Sequence, residues 1–169
     1  NNLFTFEPAQ IHLTNKPQCI PTMALLSFKN TSPNAITIKN VRSDLYQVTI
    51  FLYQQTSDKT QYFNPKINYP RKLNANSSIT FQIIILPDDI GVTVGYIYID
   101  IIVNETNSVI IYPVSYSSIE NIYKVKPIYY PHWQTSKQFS FPLNIYNPHN
   151  DLLTIKEVIN SFNSISLLW

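Results

Sequence analysis

The sequence is 169 residues long and carries a formal net charge of +2 from twelve basic and ten acidic residues. These charges are scattered, so there is no basic stripe to bind a nucleic-acid backbone, and nucleic acid is not an expected partner. The two glycines, Gly91 and Gly95, are too few for a glycine-rich phosphate-binding loop. The single cysteine, Cys19, excludes an internal disulfide and a thiolate-rich zinc site, and a buried thiol is expected there. No apolar run approaches the ~20 residues of a membrane-spanning helix.

Hydrophobic and polar residues alternate along most of the chain, which is the pattern of half-buried β-strands. The composition agrees, because 14% of the residues are aromatic and Ile, Val and Thr are frequent, and these side chains favour strands. About seven strands are predicted, at residues 4–7, 25–29, 35–41, 46–53, 79–85, 96–103 and 109–116. Their number and spacing predict an all-β, immunoglobulin-like β-sandwich.

The predicted connections are of two kinds. Short turns rich in Asn, Asp and Pro lie at residues 30–34, 87–91 and 104–107. The stretch 54–72 is longer, polar and proline-bearing, and a loop of that length in a compact domain is either mobile or functional.

A segment of the first half of the chain recurs 117 residues later as identical or similar residues. The first copy comprises Leu26, Phe28, Asn30, Asn34, Thr37, Ile38, Lys39 and Val41, and the second comprises Leu143, Ile145, Asn147, Asp151, Thr154, Ile155, Lys156 and Val158. A repeat at a fixed offset predicts tandem domains, and this offset fits the size of one sandwich. We therefore predict a first sandwich at residues 1–118, followed at 119–169 by a linker and a partial second sandwich.

The second region begins with a predicted linker and lead-in strand at 119–137. Beyond it, apolar residues alternate with others and predict a strand with one apolar face, formed by Phe139, Phe141, Leu143 and Ile145. Residues 119–169 are too few for a complete sandwich of roughly 100 residues. The second domain is expected to be incomplete in this chain and to lean on the first domain or on something outside the chain.

These residues resemble a known family. The stretches NIYKVKP at 121–127 and FSFPLNIYNPHN at 139–150, followed by two leucines, resemble the amino-terminal lumenal region of the transmembrane protein 131 family. The turn formed by Asn147, Pro148 and His149 is the most specific element, and the His149 ring is expected to hydrogen-bond the backbone there. Earlier, FEP at 6–8 and the segments 73–81 and 91–103 are similar to that family's first PapD-like domain.

The resemblance implies an endoplasmic-reticulum membrane protein whose lumenal PapD-like domains bind secretory cargo, procollagen chains in animals. It also implies a membrane span outside this chain and a cytosolic tail that reaches the transport machinery. The chain departs from the family in lacking most of its turn glycines. Its Asn-rich and Ile-rich composition is typical of an AT-rich genome, and a unicellular organism with such a genome would have no collagen. The family's binding residues do not form a short motif here, so none is carried over and the cargo is left open.

Candidate sites for chemistry are few. Three N-glycosylation sequons begin at Asn30, Asn76 and Asn104, each in a predicted turn or loop, although a chain so rich in Asn, Ser and Thr could contain them by chance. The three histidines lack the spacing of a zinc site, and no nucleophile, base and orienting carboxylate form a catalytic signature. We therefore predict a non-enzymatic protein without cofactor or metal.

Aromatic residues are the remaining candidates for function. Tyr and Trp bury area while keeping a polar tip, so they are frequent at protein interfaces. Ordinary packing between tandem domains would use the same residues. The candidate interface residues are Tyr96, Tyr98, Tyr129, Tyr130 and Trp133.

Two classes of function are compatible with these patterns. The favoured hypothesis is a lumenal, glycosylated binding module of the secretory pathway, which adds a partner polypeptide's extended segment to an exposed sheet edge. The alternative is a cytosolic or ciliary scaffold built of tandem immunoglobulin-like domains. Glycan occupancy separates the two.

Overall fold

The computed structural model describes residues 3–53, 69–126 and 142–155. Within these residues all regular structure is β-strand. The nine strands are β1 (Phe4–Glu7), β2 (Ile11–Pro17), β3 (Thr22–Asn30), β4 (Ile36–Ser43), β5 (Val48–Leu52), β6 (Arg71–Leu73), β7 (Ser78–Ile85), β8 (Gly91–Val103) and β9 (Thr106–Ile119).

The strands form two sheets. One has the order β1-β3-β7-β5 and the other has the order β2-β9-β8-β4-β6. All pairs are antiparallel except β2 with β9, which is parallel. Consecutive strands alternate between the sheets in several places, which is the arrangement of an immunoglobulin-like sandwich, so the predicted fold class is confirmed.

The core lies between the two sheets and is formed by alternate residues of each strand. In β7, for example, the residues from Ile79 to Ile85 are buried at every odd position. The largest side chains with no more than 1% exposure are Tyr112, Tyr116, Phe28, Phe81, Leu26, Ile36, Ile38, Ile83, Ile85, Ile97, Ile99 and Ile101. Because strand side chains alternate between faces, the apolar half of each pattern enters this layer and the other half faces solvent.

Two strands lie outside the predicted set. β2 has exposed or half-exposed polar residues such as His12 and Lys16, and its backbone is irregular at Asn15, which has a positive φ of 52°. β6 has three residues and lies at the end of the predicted loop 54–72; residues 54–68 are outside the described part of the chain. Both are edge strands, where only one side is paired, so their sequences need less alternation than a central strand.

The turn between β3 and β4 is built around the side chain of Asn30, which is fully buried. Its Nδ2 donates to the carbonyls of Asn34 at 2.9 Å, Leu73 at 3.3 Å and Asn74 at 3.1 Å. Its Oδ1 accepts from the backbone N–H of Ser32 at 3.0 Å and from the hydroxyl of the same residue at 2.6 Å. One side chain thereby holds this turn and the turn after β6 together at one end of the sandwich.

Replacing Asn30 by Ala is expected to lower the free energy of unfolding by about 3 kcal/mol, because buried carbonyls and an N–H would lose their partner. Urea unfolding measures the change. Asn40→Ala, at an exposed position of β4, is the matched control and should shift the free energy of unfolding by less than about 0.5 kcal/mol. Equal effects of the two variants would contradict the structural role of Asn30.

The other end of the sandwich carries the junction to the C-terminal segment. The backbone N–H of Gln18 donates to the carbonyl of Ile119 at 2.9 Å. Buried Asn121 donates from Nδ2 to the carbonyl of Gln18 at 2.9 Å and accepts at Oδ1 from the N–H of Tyr123 at 2.8 Å. The chain leaving β9 is therefore tied to the sandwich within two residues.

Three tyrosines are buried to an extent that affects their ionisation. Burial raises the pKa of Tyr69 to about 12, although nearby Arg71 opposes the shift. Burial also raises the pKa of Tyr112, whose hydroxyl donates to the carbonyl of Pro8 at 2.9 Å. Burial also raises the pKa of Tyr116. The folded state therefore holds these phenol protons more tightly than the unfolded chain does.

Stability is expected to fall as the pH rises from about 10 to about 12. Unfolded tyrosines lose their protons near pH ~10, whereas Tyr69 keeps its proton in the folded state up to about 12, so the unfolded state binds fewer protons across this window and becomes favoured. Urea unfolding of the wild type and Tyr69→Phe across this range measures the slope. Tyr69→Phe should lose stability less steeply than the wild type, because its side chain carries no proton to release. Identical slopes for wild type and Tyr69→Phe would show that Tyr69 does not contribute.

Candidate functional site

The solvent-facing side of β8 and β9 carries more exposed apolar side chains than an alternating strand pattern requires. We call it the outer face; it consists of Val92, Val94, Tyr96, Tyr98, Val109 and Ile111. In the register of the two strands, Tyr98 lies opposite Ile111, and Tyr96 lies opposite Pro113. Exposed apolar residues gathered in one patch are typical of surfaces that bind other proteins.

A polar cluster borders the outer face where β4 leads into the following turn. The guanidinium of Arg42 lies 4.5 Å from the centre of the Tyr98 ring, and its Nε lies 3.6 Å from the carboxylate of Asp100. The Tyr98 hydroxyl donates to Asp44 at 3.3 Å. Desolvation, with a smaller effect of the Asp44 charge and hydrogen bond, raises the pKa of Tyr98, while Arg42 lowers it. The Tyr98 ring thus has charged partners at its face and at its hydroxyl, and the Tyr96 ring lies 6.4 Å away in an edge-on arrangement.

Gly95 explains how this turn comes so close to β8. A Cβ atom at Gly95 would lie 2.4 Å from Cγ of Leu45 and 2.6 Å from a carboxylate oxygen of Asp44. The same carboxylate accepts from the N–H of Tyr96 at 2.7 Å, and the carbonyl of Tyr96 accepts from the N–H of Asp44 at 3.2 Å. Only glycine leaves room for this contact between the turn and β8, so the position of Tyr96 depends on Gly95.

One edge of β9 is only partly paired. β2 pairs with β9 from Val114 to Ile119, and no described strand pairs with residues 106–113 on that side. Pro113 has no backbone N–H, so a ladder extending from β2 would meet a missing donor at this residue. We call residues 106–112 the open edge.

The turn that precedes β9 determines which backbone groups of the open edge point outward. Asn104 and Glu105 form a two-residue turn with positive φ values of 47° and 66°, and Val103 pairs directly with Thr106. In such a hairpin the two residues next to the turn exchange backbone hydrogen bonds, and the bonding residues then alternate along each strand. The backbone N–H and C=O groups of even-numbered residues of β9 therefore bond β8, whereas those of odd-numbered residues point away from β8. The carbonyl of Ile119, an odd-numbered residue, does accept a bond from outside the hairpin. Val109 and Ile111 therefore present both N–H and C=O at the open edge.

The same two residues also contribute to the outer face. Their side chains are 50% and 57% exposed, and no charged residue lies between Thr106 and Ile119. Among the other described edges, β6 has three residues of which two are basic, β1 has four residues ending in Glu7, β2 contains Lys16, and β5 has five uncharged residues. Charge and short length protect edges from pairing. The open edge of β9 is uncharged, as β5 is, and belongs to a longer strand of 14 residues.

The predicted interface residues lie in different parts of the chain. Tyr96 and Tyr98 are on the outer face, whereas Tyr129, Tyr130 and Trp133 lie outside the described residues. The open edge itself was not singled out in the sequence. Its only signal there is Pro113 in the middle of an apolar strand, since proline interrupts strand pairing on one side.

The three sequons have different surroundings. Asn76 and Asn104 are exposed in tight turns with positive φ values of 57° and 47°. Asn30 is fully buried, and its Nδ2, the atom that would carry a glycan, donates to three carbonyls. The prediction of an exposed sequon at Asn30 is therefore wrong, because the folded domain leaves no space for a glycan there.

The turn at Asn147, Pro148 and His149 is held by backbone and amide groups. Asn147 donates from Nδ2 to the carbonyl of Asp151 at 2.8 Å and accepts from the N–H of His149 at 3.0 Å. The ring of His149 contacts the hydroxyl of Tyr123 at 3.4 Å, so the expected hydrogen bond from the ring to the backbone is not the one observed. Residues 142–155 are assigned to no strand, and the rest of the strand predicted at 139–145 lies outside the described residues.

The sequence also predicted a buried thiol at Cys19. Cys19 is only half-buried rather than buried, and burial followed by the charge of Asp88 raises its thiol pKa. Asp88 accepts hydrogen bonds from Tyr46 and, at 2.9 Å, from Gln47.

In the described part of the chain, no three His, Cys, Asp or Glu side chains are grouped as metal ligands. No described helix is long and apolar enough to cross a membrane.

No protein-family model matches the chain. Among curated proteins, mouse Transmembrane protein 131 is 22% identical over 163 residues, which cover 96% of this chain. The match confirms the resemblance inferred from the residue motifs, as a similarity that extends over nearly the whole chain. The chain spans 8% of the length of that relative.

Several solved structures are similar to this chain at low sequence identity. The PapD-like domain 7 of human CEP192 is 12% identical, with 70% of this chain and 86% of that chain covered and a TM-score of 0.48. The Vibrio cholerae VesB protease is 11% identical over 69% of this chain and 32% of that chain, with a TM-score of 0.49. WR4, a member of the MSP family from C. elegans, is 10% identical over 70% of this chain and 100% of that chain, with a TM-score of 0.43. Structural similarity at these TM-scores does not indicate a function.

Proposed function

We propose that this domain is a non-enzymatic binding module that holds an extended segment of another polypeptide against the open edge of β9. The observation that carries the proposal concerns Val109 and Ile111. Their outward backbone groups pair with no described strand, and their apolar side chains are exposed. A strand added to a sheet edge gains affinity from main-chain hydrogen bonds and specificity from alternate side chains. Both sources of binding energy are present at this edge.

The geometry sets what such a partner must look like. Val109 and Ile111 offer two N–H donors and two C=O acceptors, and a net gain of roughly 1 kcal/mol per hydrogen bond would give weak binding by itself. Every second side chain of an added strand would lie beside Val109, Ile111 and the rest of the outer face. The partner is therefore an uncharged, extended segment whose alternate residues are apolar.

Binding is tested by fluorescence anisotropy with a short fluorescein-labelled peptide of alternating valine and threonine residues, whose ends are acetylated and amidated so that the peptide portion carries no charge. Val109→Pro removes one outward N–H while leaving the bonds to β8 in place, and is expected to weaken binding at least tenfold. Ile111→Lys is expected to weaken it similarly by placing a charge on the apolar surface, since Ile111 lies opposite Tyr98. Met23→Lys introduces the same charge at an exposed apolar position of the other sheet and should bind as wild type.

Thermal unfolding first establishes that each variant is folded. Folded Val109→Pro and Ile111→Lys proteins that bind as tightly as wild type would exclude the open edge as the binding site. Equal weakening by Met23→Lys would indicate a general effect of positive charge instead of strand addition.

The resemblance to a transmembrane protein supports placing this domain on the non-cytosolic side of a membrane, within the endoplasmic reticulum or the later secretory pathway. The cargo there would be secretory polypeptides or subunits of a membrane complex. A cytosolic or ciliary scaffold of tandem immunoglobulin-like domains is the alternative outcome. Exposed sequons at Asn76 and Asn104 support the lumenal placement, because both could carry a glycan without disturbing the core.

The protein from its native source is expected to lose up to two glycan masses on treatment with an N-glycan-removing enzyme. Asn76→Gln and Asn104→Gln should each remove one glycan, because both side chains are exposed in turns. Intact-mass spectrometry before and after treatment measures the change, and peptide mapping should find Asn30 unmodified. An unchanged mass would favour the cytosolic scaffold.

A further inference from the structure

The first strand of the chain leaves the smaller sheet early, so part of β3 has no partner on that side. β1 pairs with β3 only as far as Ser27, which lies opposite Glu7. Past this point the chain lies against the larger sheet, since the carbonyl of Pro8 accepts from the Tyr112 hydroxyl at 2.9 Å and β2 pairs with β9. Among the described strands, none pairs with residues 22–26 of β3 on the side that β1 leaves. We call these residues the β3 edge.

The backbone hydrogen bonds of β3 alternate between its two neighbours. The N–H of Asn30 donates at 3.0 Å to the carbonyl just before β7, whereas the N–H of Thr31 donates at 3.0 Å to the carbonyl just before β1. The register of β3 with both neighbours is continuous, so even-numbered residues bond β7 and odd-numbered residues bond on the side of β1. At the β3 edge, the N–H and C=O groups of Met23 and Leu25 therefore point away from β7.

The same two residues carry exposed apolar side chains. Met23 is 59% exposed and Leu25 is 41% exposed, and half-buried Ile84 of β7 lies opposite Met23. The edge strand β5 differs, because its odd-numbered residues bond β7 and its outward backbone groups belong to residues such as Val48 and Leu52, whose side chains are buried. The β3 edge thus combines outward backbone groups with an apolar surface, which β5 does not.

We propose that the β3 edge joins two copies of this chain about a two-fold axis at Ala24. Two antiparallel copies of the edge would set Met23 of each copy opposite Leu25 of the other. Each such pair exchanges both of its backbone hydrogen bonds, and the axis generates two pairs. The exposed side chains of the paired residues lie side by side on one face, and the two smaller sheets become one continuous sheet.

The ends of the β3 edge determine this register. An axis at Met23 would set Leu25 opposite Pro21, which has no N–H to donate. An axis at Leu25 would set Met23 opposite Ser27, whose outward side already pairs with Glu7. Only the proposed axis lets both outward residues of each copy pair.

A second copy suits the β3 edge because the edge is complementary to itself. A two-fold axis brings each residue near its own counterpart, so a charged residue close to the axis would meet the same charge. Residues 20–28 contain no charged side chain. Few residues of each copy take part, so the dimer is weak and depends on protein concentration. This inference goes beyond the proposed function, because the contact leaves the open edge of β9 available to a partner.

Sedimentation equilibrium of the 169-residue chain tests the dimer. Leu25→Lys places a charge opposite Met23 of the other copy and is expected to raise the dissociation constant of the dimer roughly tenfold or more. Met23→Asp should have a similar effect. A mixture of these two variants should bring the dissociation constant back toward the wild-type value, because opposite charges then face each other across the axis.

Ile111→Lys is the matched control, since it places the same charge at an exposed apolar residue on the open edge of β9. It should dimerise as wild type while losing the valine and threonine peptide. Leu25→Lys should keep the peptide, with binding measured at concentrations where the chain is monomeric. The dimer and the proposed function can therefore fail separately. Circular dichroism shows whether each variant is folded.

Amide hydrogen exchange of the wild type tests the proposal without any variant. The amides of Met23 and Leu25 should exchange slowly at high protein concentration and faster on dilution. Rates that do not change on dilution would overturn the proposal, and slow rates at both concentrations would mean that another part of the same chain covers the β3 edge.

Three sedimentation results would also overturn the dimer. They are a wild type that stays monomeric at every concentration, a dimer that Leu25→Lys leaves intact, and a dimer that Ile111→Lys abolishes. A mixture of Leu25→Lys and Met23→Asp that does not dimerise would overturn the proposed register.

Discussion

Thirteen consecutive residue pairs join β8 to β9, from Gly91 with Ser118 to Val103 with Thr106. This hairpin depends on the two-residue turn at Asn104 and Glu105, which sets which residues face inward and which backbone groups face β8. A shift of one residue would exchange the two faces of both strands. The core residues of the larger sheet, the outer face and the open edge all follow from this one register.

The two ends of the sandwich are held by polar groups in a different way. At one end, Asn30 is buried and every amide group it offers is hydrogen-bonded, which is the condition for placing a polar side chain in a core. At the other end, Asn121 ties the chain that leaves β9 to Gln18. Side-chain amides at both ends thus satisfy backbone groups that the strands cannot reach, so the connections are as well defined as the sheets.

The edge strands of the described sandwich differ in how well they are protected from pairing with another strand. β1 and β6 are protected by short length and charge, as edges of soluble sheets commonly are. β2 covers the second half of β9 and stops where Pro113 removes a donor. The open edge has two residues, Val109 and Ile111, that present both outward backbone groups and exposed apolar side chains. An edge of this size suits a transient partner better than a permanent dimer.

Much of the fold was predictable because alternation is a local property. The strands at the centre of each sheet, such as β7 and β8, were identified from their apolar periodicity, and the Asn147 turn was identified from the repeat. The edge strands β2 and β6 were missed because an edge strand needs less alternation. The sequon at Asn30 was misjudged because a turn was assumed to be exposed, whereas the turn after β6 packs against it.

The sequence by itself determined the all-β class, the strands of the core and the recurrence of one strand-and-turn unit. Only the tertiary structure decided which edge of which sheet is open, which asparagine is buried and which aromatic residues share a face. The physical reason is that alternation and turn propensity act between neighbours along the chain, whereas edges and burial depend on residues a hundred positions apart, such as Ile11 and Val114.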